Sequence, residues 1–197
     1  MIETIAPALS EEVSADLMPR LRVIALLAMD VDGVLTDGRV TYGPMGEEYK
    51  TFNIHDGLGI ALGNFAGLHQ FFVTSRASGA VAKRAEELGV GVWQRTPDKR
   101  LAVERLARQH HLDLAQVAYV GDDLIDLPAL RIAGAAFAVA NARPEVKAAA
   151  HYVTSRAGGD GAVREIIELV LHTQQKWEVA VERYLAAARE LAKEQNP

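Results

Sequence analysis

The chain has 197 residues, 49% of them hydrophobic and 24% charged, with a formal net charge of −5, the size and balance of one globular domain with room for an extra helix or arm. Net negative charge without a Lys/Arg block gives nucleic-acid binding no electrostatic footing, and the longest apolar run is far short of a membrane span. The absence of cysteine excludes disulfides and thiolate metal sites, and the early acids and missing basic region of residues 1–20 are unlike a secretory signal, so the expectation is a soluble, cytoplasmic protein.

Residues 1–20 read as a variable leader, with Ser10-Glu11-Glu12 as a helix start. The seven apolar residues from Val23 to Met29 then run into Asp30-Val31-Asp32-Gly33, which suits a strand over 23–30 buried on both faces of a parallel sheet. Two carboxylates where such a strand ends are poor core residues, because an unpaired buried charge is expensive. From Asp37 to Asn53, Val40 and Tyr42 alternate with polar residues, Gly43-Pro44-Met45-Gly46 breaks the run, and Tyr49 and Phe52 fall in a second extended piece. That is a hairpin over about 38–54. A lone hairpin is marginal in water, so this one serves as a surface flap, an assembly element or both.

A helix is expected from Asp56-Gly57 to Gly67, a buried strand at 69–73 ending in Thr74-Ser75-Arg76, and a helix from Ala80 stopped by Gly89. A short strand from Val90 to Gln94 follows, then a helix opened by Pro97-Asp98-Lys99 with Leu101, Val103, Leu106 and Ala107 on its apolar face. The strand from Val117 to Val120 ends in Gly121-Asp122-Asp123, and a short helix at 127–133 leads to a strand at 136–140. A helix near Pro144, a strand at 152–154 and one long helical pattern from about Ala162 to Ala192 complete the chain. The second half of that pattern (Trp177, Val181, Tyr184, Leu185, Ala188, Leu191) keeps an amphipathic stripe beyond the sheet, free for a partner such as another subunit. Strands alternating with helices at this spacing make an α/β, doubly wound parallel sheet. Ligands bind such sheets at the carboxyl ends of strands, near the switch in strand order; Asp30, Thr74 and Asp122 all fall at such ends.

Taken singly, these groups are weak signals: an acid after a strand is commonly a turn or helix cap, and a lone lysine on a helix is commonly solvated. Together they place up to three carboxylates at one strand end opposite two at another. A divalent cation relieves that repulsion, and an all-oxygen donor set favours Mg²⁺. Asp30-Val31-Asp32-Gly33-Val34, Thr74, Lys99 and Gly121-Asp122-Asp123-Leu124-Ile125-Asp126 match, in order, the four motifs of the haloacid dehalogenase (HAD) superfamily of phosphatases. DVDGVLTDG, GEEYKTFN, DGLGI, AYVGDDLIDLP, HYVT and GGDGAVRE together resemble the 3-deoxy-D-manno-octulosonate 8-phosphate (KDO 8-phosphate) phosphatases within it, over nearly all the chain after residue 20.

The resemblance implies a HAD-like Rossmannoid domain over 21–175, with a helical tail at 176–197. It implies Asp30 as nucleophile, Asp32 as general acid/base, and Lys99 offsetting charge on the phosphoryl group. Mg²⁺ would be held by Asp30, the Asp32 backbone carbonyl and Asp122, supported by Asp123 or Asp126. Gly33, Thr74 and Ser75 would bind phosphate oxygens. Arg76 would meet a sugar-acid carboxylate, with a helix-start salt bridge as its other reading. The short gaps between motifs leave no cap domain, and the resemblance implies a homotetramer whose neighbours help close the open site. Ser75, His55 and Asp160 depart from the pattern, which commonly has Gly, Arg, and Arg or Glu there. The expected substrate is a phosphorylated sugar acid, KDO 8-phosphate or a nine-carbon keto-deoxy sugar 9-phosphate; a non-catalytic assembly module is the contrasting reading.

Overall fold

The computed structural model describes residues 16–195, so the expected helix start at Ser10 lies outside the described residues. The central strand, β1 (Leu26–Met29), has all four residues buried, as expected for a strand covered on both faces. It begins later than its apolar run suggested. Val23 instead ends a helix, α1 (Leu17–Val23), which buries Leu17 and Leu21 against the core. An apolar run alone does not distinguish a helix end from a strand; here i, i+4 burial made one stripe of a helix, and Ile24 turned into extended backbone (ψ 126°).

The hairpin, β2 (Thr41–Tyr42) with β3 (Glu48–Tyr49), forms its own two-stranded antiparallel sheet. After it come α2 (Ile54–Phe65), β4 (His69–Val73), α3 (Gly79–Leu88), β5 (Gly91–Trp93) and α4 (Lys99–Gln109). Helix α2 starts ahead of Asp56, because the Asn53 side chain caps it by accepting from the His55 N–H at 2.7 Å. Along α4, Leu101 is exposed, and Lys99 takes its place on the buried face with Ala102, Val103 and Leu106. These positions follow the i, i+3, i+4, i+7 stripe, which misses 101. Then follow β6 (Val117–Gly121), a 3-10 turn (Leu124–Asp126), α5 (Leu127–Leu130), β7 (Ala135–Ala138), α6 (Pro144–Ala149) and β8 (Tyr152–Val153).

Six strands make one parallel sheet in the order β5-β4-β1-β6-β7-β8. The chain leaves β1 toward β4 on one side and returns to β6 on the other, so the switch point lies at the carboxyl end of β1. Register is tight there: Met29 lies beside Phe72 and Val120. No further domain caps this end among the described residues.

The long terminal pattern is two helices, α7 (Ala162–Thr173) and α8 (Trp177–Gln195), broken where Gln175 adopts φ 55°. The break turns the apolar stripe back onto the chain's own core. Ala180 is buried, Trp177 and Val181 pack against the core, and Tyr184 meets Phe65 edge-on at 5.9 Å. A straight helix would have left those groups in water. Leu185 and Leu191, farther along, stay exposed. Helix α7 starts at Gly161 without a cap of its own. Asp56 reaches across from α2 and accepts from the Arg164 N–H at 2.8 Å.

Candidate active site

Asp30 extends β1 by one residue: its N–H donates to Val120 O at 3.0 Å, and the residue is only 5% exposed. The chain then turns tightly, with Leu35 and Thr36 N–H groups both donating to Val31 O. Gly33 sits at φ +94°, and a Cβ there would lie 2.0 Å from Asp122 Oδ2. Only glycine fits that left-handed, crowded position. Behind the turn, Gly159 N–H donates to Val34 O at 2.9 Å, while a Cβ on Gly158 would strike Gly33 O. The Gly158-Gly159 stretch therefore clamps the turn in place; Asp160, next along, is exposed.

Lys99 is buried between two carboxylates, its Nζ 2.7 Å from Asp30 Oδ1 and 2.7 Å from Asp126 Oδ1. Burial alone would pull its pKa down, but Asp30 and Asp126 outweigh it and hold the ammonium above its ordinary value. Asp126 is completely buried and its oxygens are fully used. Oδ1 also accepts from the Tyr119 hydroxyl at 2.7 Å, and Oδ2 accepts from the N–H groups of Asp122 at 2.9 Å and Asp123 at 3.2 Å. Burial, then the Asp126 charge, keeps the Tyr119 hydroxyl protonated and so a donor. Asp126 thus organises the loop after β6. Asp123 is exposed and caps the 3-10 turn through Leu124 N–H at 2.7 Å, so it stands outside the carboxylate cluster.

That cluster is Asp30, Asp122 and Asp126, whose oxygens approach within 4.8 Å of one another. Burial, then the Asp126 charge, pushes the Asp30 carboxyl up to about 8 and the Asp122 carboxyl up to about 7. Asp30 and Asp122 therefore hold protons near neutral pH unless a cation takes their place. Asp122 Oδ1 is buried without a hydrogen-bond partner, whereas every oxygen of Asp126 is engaged. The donor set is all oxygen, which fits a hard divalent ion such as Mg²⁺. Asp30 and Asp122 fit as ligands, with Asp126 in support.

Thr74, at the end of β4, is buried, and its Oγ1 accepts from Arg76 N–H at 3.2 Å; Ser75 beside it is exposed. The Gly33 N–H has a long contact of 3.3 Å to Thr36 Oγ1. Arg76 binds Glu48 of the hairpin, and its Nε lies 3.7 Å from Asp32 Oδ2. Lys50, one residue past β3, donates to Asp32 Oδ1 and pairs with Glu48 at 2.7 Å. Glu48 and Lys50 are the site neighbours that sequence reasoning missed, although both lie in the GEEYKTFN motif. Their signal was strand alternation: Glu48 and Lys50 face in, and Tyr49 faces out. A groove of about 1000 Å³ adjoins the site, lined among others by His55, Arg156, Asp160 and Arg164, but it holds none of the clustered aspartates.

The profile of the haloacid dehalogenase-like hydrolases matches residues 67–166. A 3-deoxy-D-manno-octulosonate 8-phosphate phosphatase of Yersinia pestis is 41% identical over 169 residues, 85% of this chain and 90% of its own. The corresponding protein of Escherichia coli (strain K12) is 41% identical with the same coverage. The solved structure of 3-deoxy-D-manno-octulosonate 8-phosphate phosphatase from Moraxella catarrhalis, in complex with magnesium, phosphate and KDO, matches with a TM-score of 0.83. It is 38% identical, over 86% of this chain and 98% of that one. A hypothetical protein from Xanthomonas campestris matches with a TM-score of 0.85 and 41% identity, over 89% of this chain and 96% of that one. With its motifs gathered at the switch point and these likenesses spanning most of its length, the chain belongs to the haloacid dehalogenase-like hydrolases.

Proposed function

We propose that this protein is a Mg²⁺-dependent phosphomonoester hydrolase that converts KDO 8-phosphate to KDO and inorganic phosphate. The observation that carries the reading is the pairing of buried Asp30 with Lys99 at 2.7 Å beside an Asp122 oxygen that has no partner. The relatives' substrate, and the magnesium and phosphate of the Moraxella catarrhalis complex, support it.

In this reading Asp30 attacks phosphorus in line and forms an aspartyl-phosphate, splitting one hard displacement into two. Asp32 gives its proton to the leaving sugar oxygen, then takes one from the water that attacks the phosphoryl group. Lys99 faces the nucleophile and offsets the charge gathering around it. The Thr74 hydroxyl and the N–H groups of Ser75 and Gly33 accommodate phosphate oxygens, the last by giving up its long contact to Thr36. When bound, Mg²⁺ on Asp30, Asp122 and the Asp32 carbonyl would neutralise phosphoryl charge, with Asp126 holding the Asp122 loop in place. Arg76 is the group for the sugar-acid carboxylate, reached by exchanging its pairing with Glu48.

The open site calls for neighbours, and the hairpin carries exposed Val40, Tyr42, Met45 and Tyr49. We assign these to a homotetramer in which other subunits close the site. No helix among the described residues is long and apolar enough to cross a membrane, which accords with a cytoplasmic enzyme. Phosphate release with Mg²⁺ from KDO 8-phosphate and from a nine-carbon keto-deoxy sugar 9-phosphate, measured side by side, tests the reading. The expected result is a kcat/KM for KDO 8-phosphate higher by about tenfold or more, within the range a pocket extracts from a small difference in substrate size. A preference for the nine-carbon ester would reassign the substrate. Stable tetramers without turnover of either ester would make the domain an assembly module.

A further inference from the structure

Each of the two acids in the motif Asp30-Val31-Asp32 is matched with its own lysine, whose side chain is withdrawn from solvent. Lys99 serves Asp30. Lys50, whose side chain is 1% exposed, serves Asp32 from the hairpin. An ammonium leaves water only where carboxylates replace its hydration, and Lys50 has two, Asp32 and Glu48. Glu48 is itself tied to Arg76, so the hairpin reaches Asp32 through a network anchored at the end of β4 as well. Among the described residues, the charged partners of the Asp32 carboxylate are Lys50 and Arg76; the turn that carries Asp32 supplies none.

From this geometry we infer that Lys50 is a positioning residue. It holds the Asp32 side chain in the orientation from which its protonated form gives a proton to the leaving oxygen and its carboxylate then recovers one from the attacking water. It also makes that step depend on the hairpin being in place. Proton transfer by a positioned group commonly contributes about 10²–10⁴-fold to rate, and the gain depends on placement. The inference rests on the proposed role of Asp32 in phosphomonoester hydrolysis, and the test separates the two.

The discriminating measurement is the leaving-group dependence of kcat/KM, which reports steps up to departure of the alcohol. A sugar alcohol needs a proton from Asp32, whereas p-nitrophenolate leaves readily without one. Lys50→Met is expected to lower kcat/KM for KDO 8-phosphate by about 10–100-fold. For p-nitrophenyl phosphate the loss should stay within about threefold, and the KM for the sugar ester should change by no more than about threefold. Asp32→Asn should show the same split, enlarged. A merely structural role would lower both substrates alike, so equal losses, or no loss, overturn the inference. A raised KM with kcat preserved makes Lys50 a substrate contact and overturns it too. If the wild-type protein hydrolyses neither ester, or Asp32→Asn shows no split, the proposed function or the role of Asp32 fails, and the inference falls with it. Should Lys50→Met not fold, Lys50→Gln is read by the same criteria.

Discussion

Replacing Asp126 with Asn separates two roles that predict stability changes of opposite sign. Were Asp126 chiefly a metal ligand, removing its charge from the metal-free protein would relieve repulsion with Asp30 and Asp122, and the protein would gain stability. Its hydrogen bonds point the other way. Both oxygens accept twice, from Lys99 and the Tyr119 hydroxyl on one side and from the Asp122 and Asp123 N–H groups on the other. An amide keeps one acceptor and turns its NH2 toward two of those donors. At about 1–3 kcal/mol for each buried donor left unpaired, the loss is about 2–6 kcal/mol. That agrees with the about 3–5 kcal/mol typical of breaking a buried ion pair from one side. In a domain of this size, 3–5 kcal/mol lowers Tm by about 6–20 °C. The assay is thermal or urea unfolding of wild-type and Asp126→Asn protein in EDTA. Equal or greater stability of the variant would refute the organising role and return Asp126 to the ligand set.

Two further outcomes follow from the same cluster. Folding raises Asp30 from its ordinary 3.8 to about 8 and Asp122 to about 7, through burial and then the Asp126 charge. The metal-free folded state therefore holds protons the unfolded chain has lost, and its stability falls as pH rises from about 4 to about 8. Mg²⁺ takes the place of those protons, so the rise in Tm on adding Mg²⁺ in place of EDTA should be larger at pH 8 than at pH 5.5. An equal rise at both would contradict the account. Gly33→Ala sets a Cβ 2.0 Å from Asp122 Oδ2 at φ +94°, whereas Gly46→Ala meets nothing within 4 Å at φ +84°. Both should cost roughly 1–2 kcal/mol for the left-handed backbone. Only Gly33→Ala should weaken Mg²⁺ binding, and calorimetry showing equal affinities would refute the crowding argument.

What could be read from the sequence depended on how many residues carried each signal. Six strands and their alternating helices were legible because the buried runs ended in turn or cap residues, as at Asp30, Thr74 and Gly121. The boundaries were less so. Val23 is as apolar as the strand it precedes, and only the burial of Leu17 and Leu21 reveals that it ends a helix. The turn at Gln174-Gln175-Lys176 has no Gly or Pro to mark it; packing of Trp177, Val181 and Tyr184 against the core replaces the local signal. At the site, Asp30 and Asp122 could be named from their strand ends, and Lys99, which opens α4, from family resemblance. The different situations of Asp123 and Asp126 could not. Both follow Gly121 within one motif, three residues apart, and the folded contacts bury Asp126 with four donors and leave Asp123 exposed. Glu48 and Lys50 were hidden in a hairpin whose docking onto Asp32 is a long-range event that local pattern does not encode.

The measurement that bears most directly on the central claim is phosphate release from KDO 8-phosphate by Asp30→Asn protein with Mg²⁺, after unfolding has confirmed that the variant is folded. With Asp30 as the nucleophile, turnover should fall by about 10⁴-fold or more, as when a covalent enzyme loses its attacking group, and no aspartyl-phosphate should be trapped at residue 30. Full activity in that variant would contradict the claim.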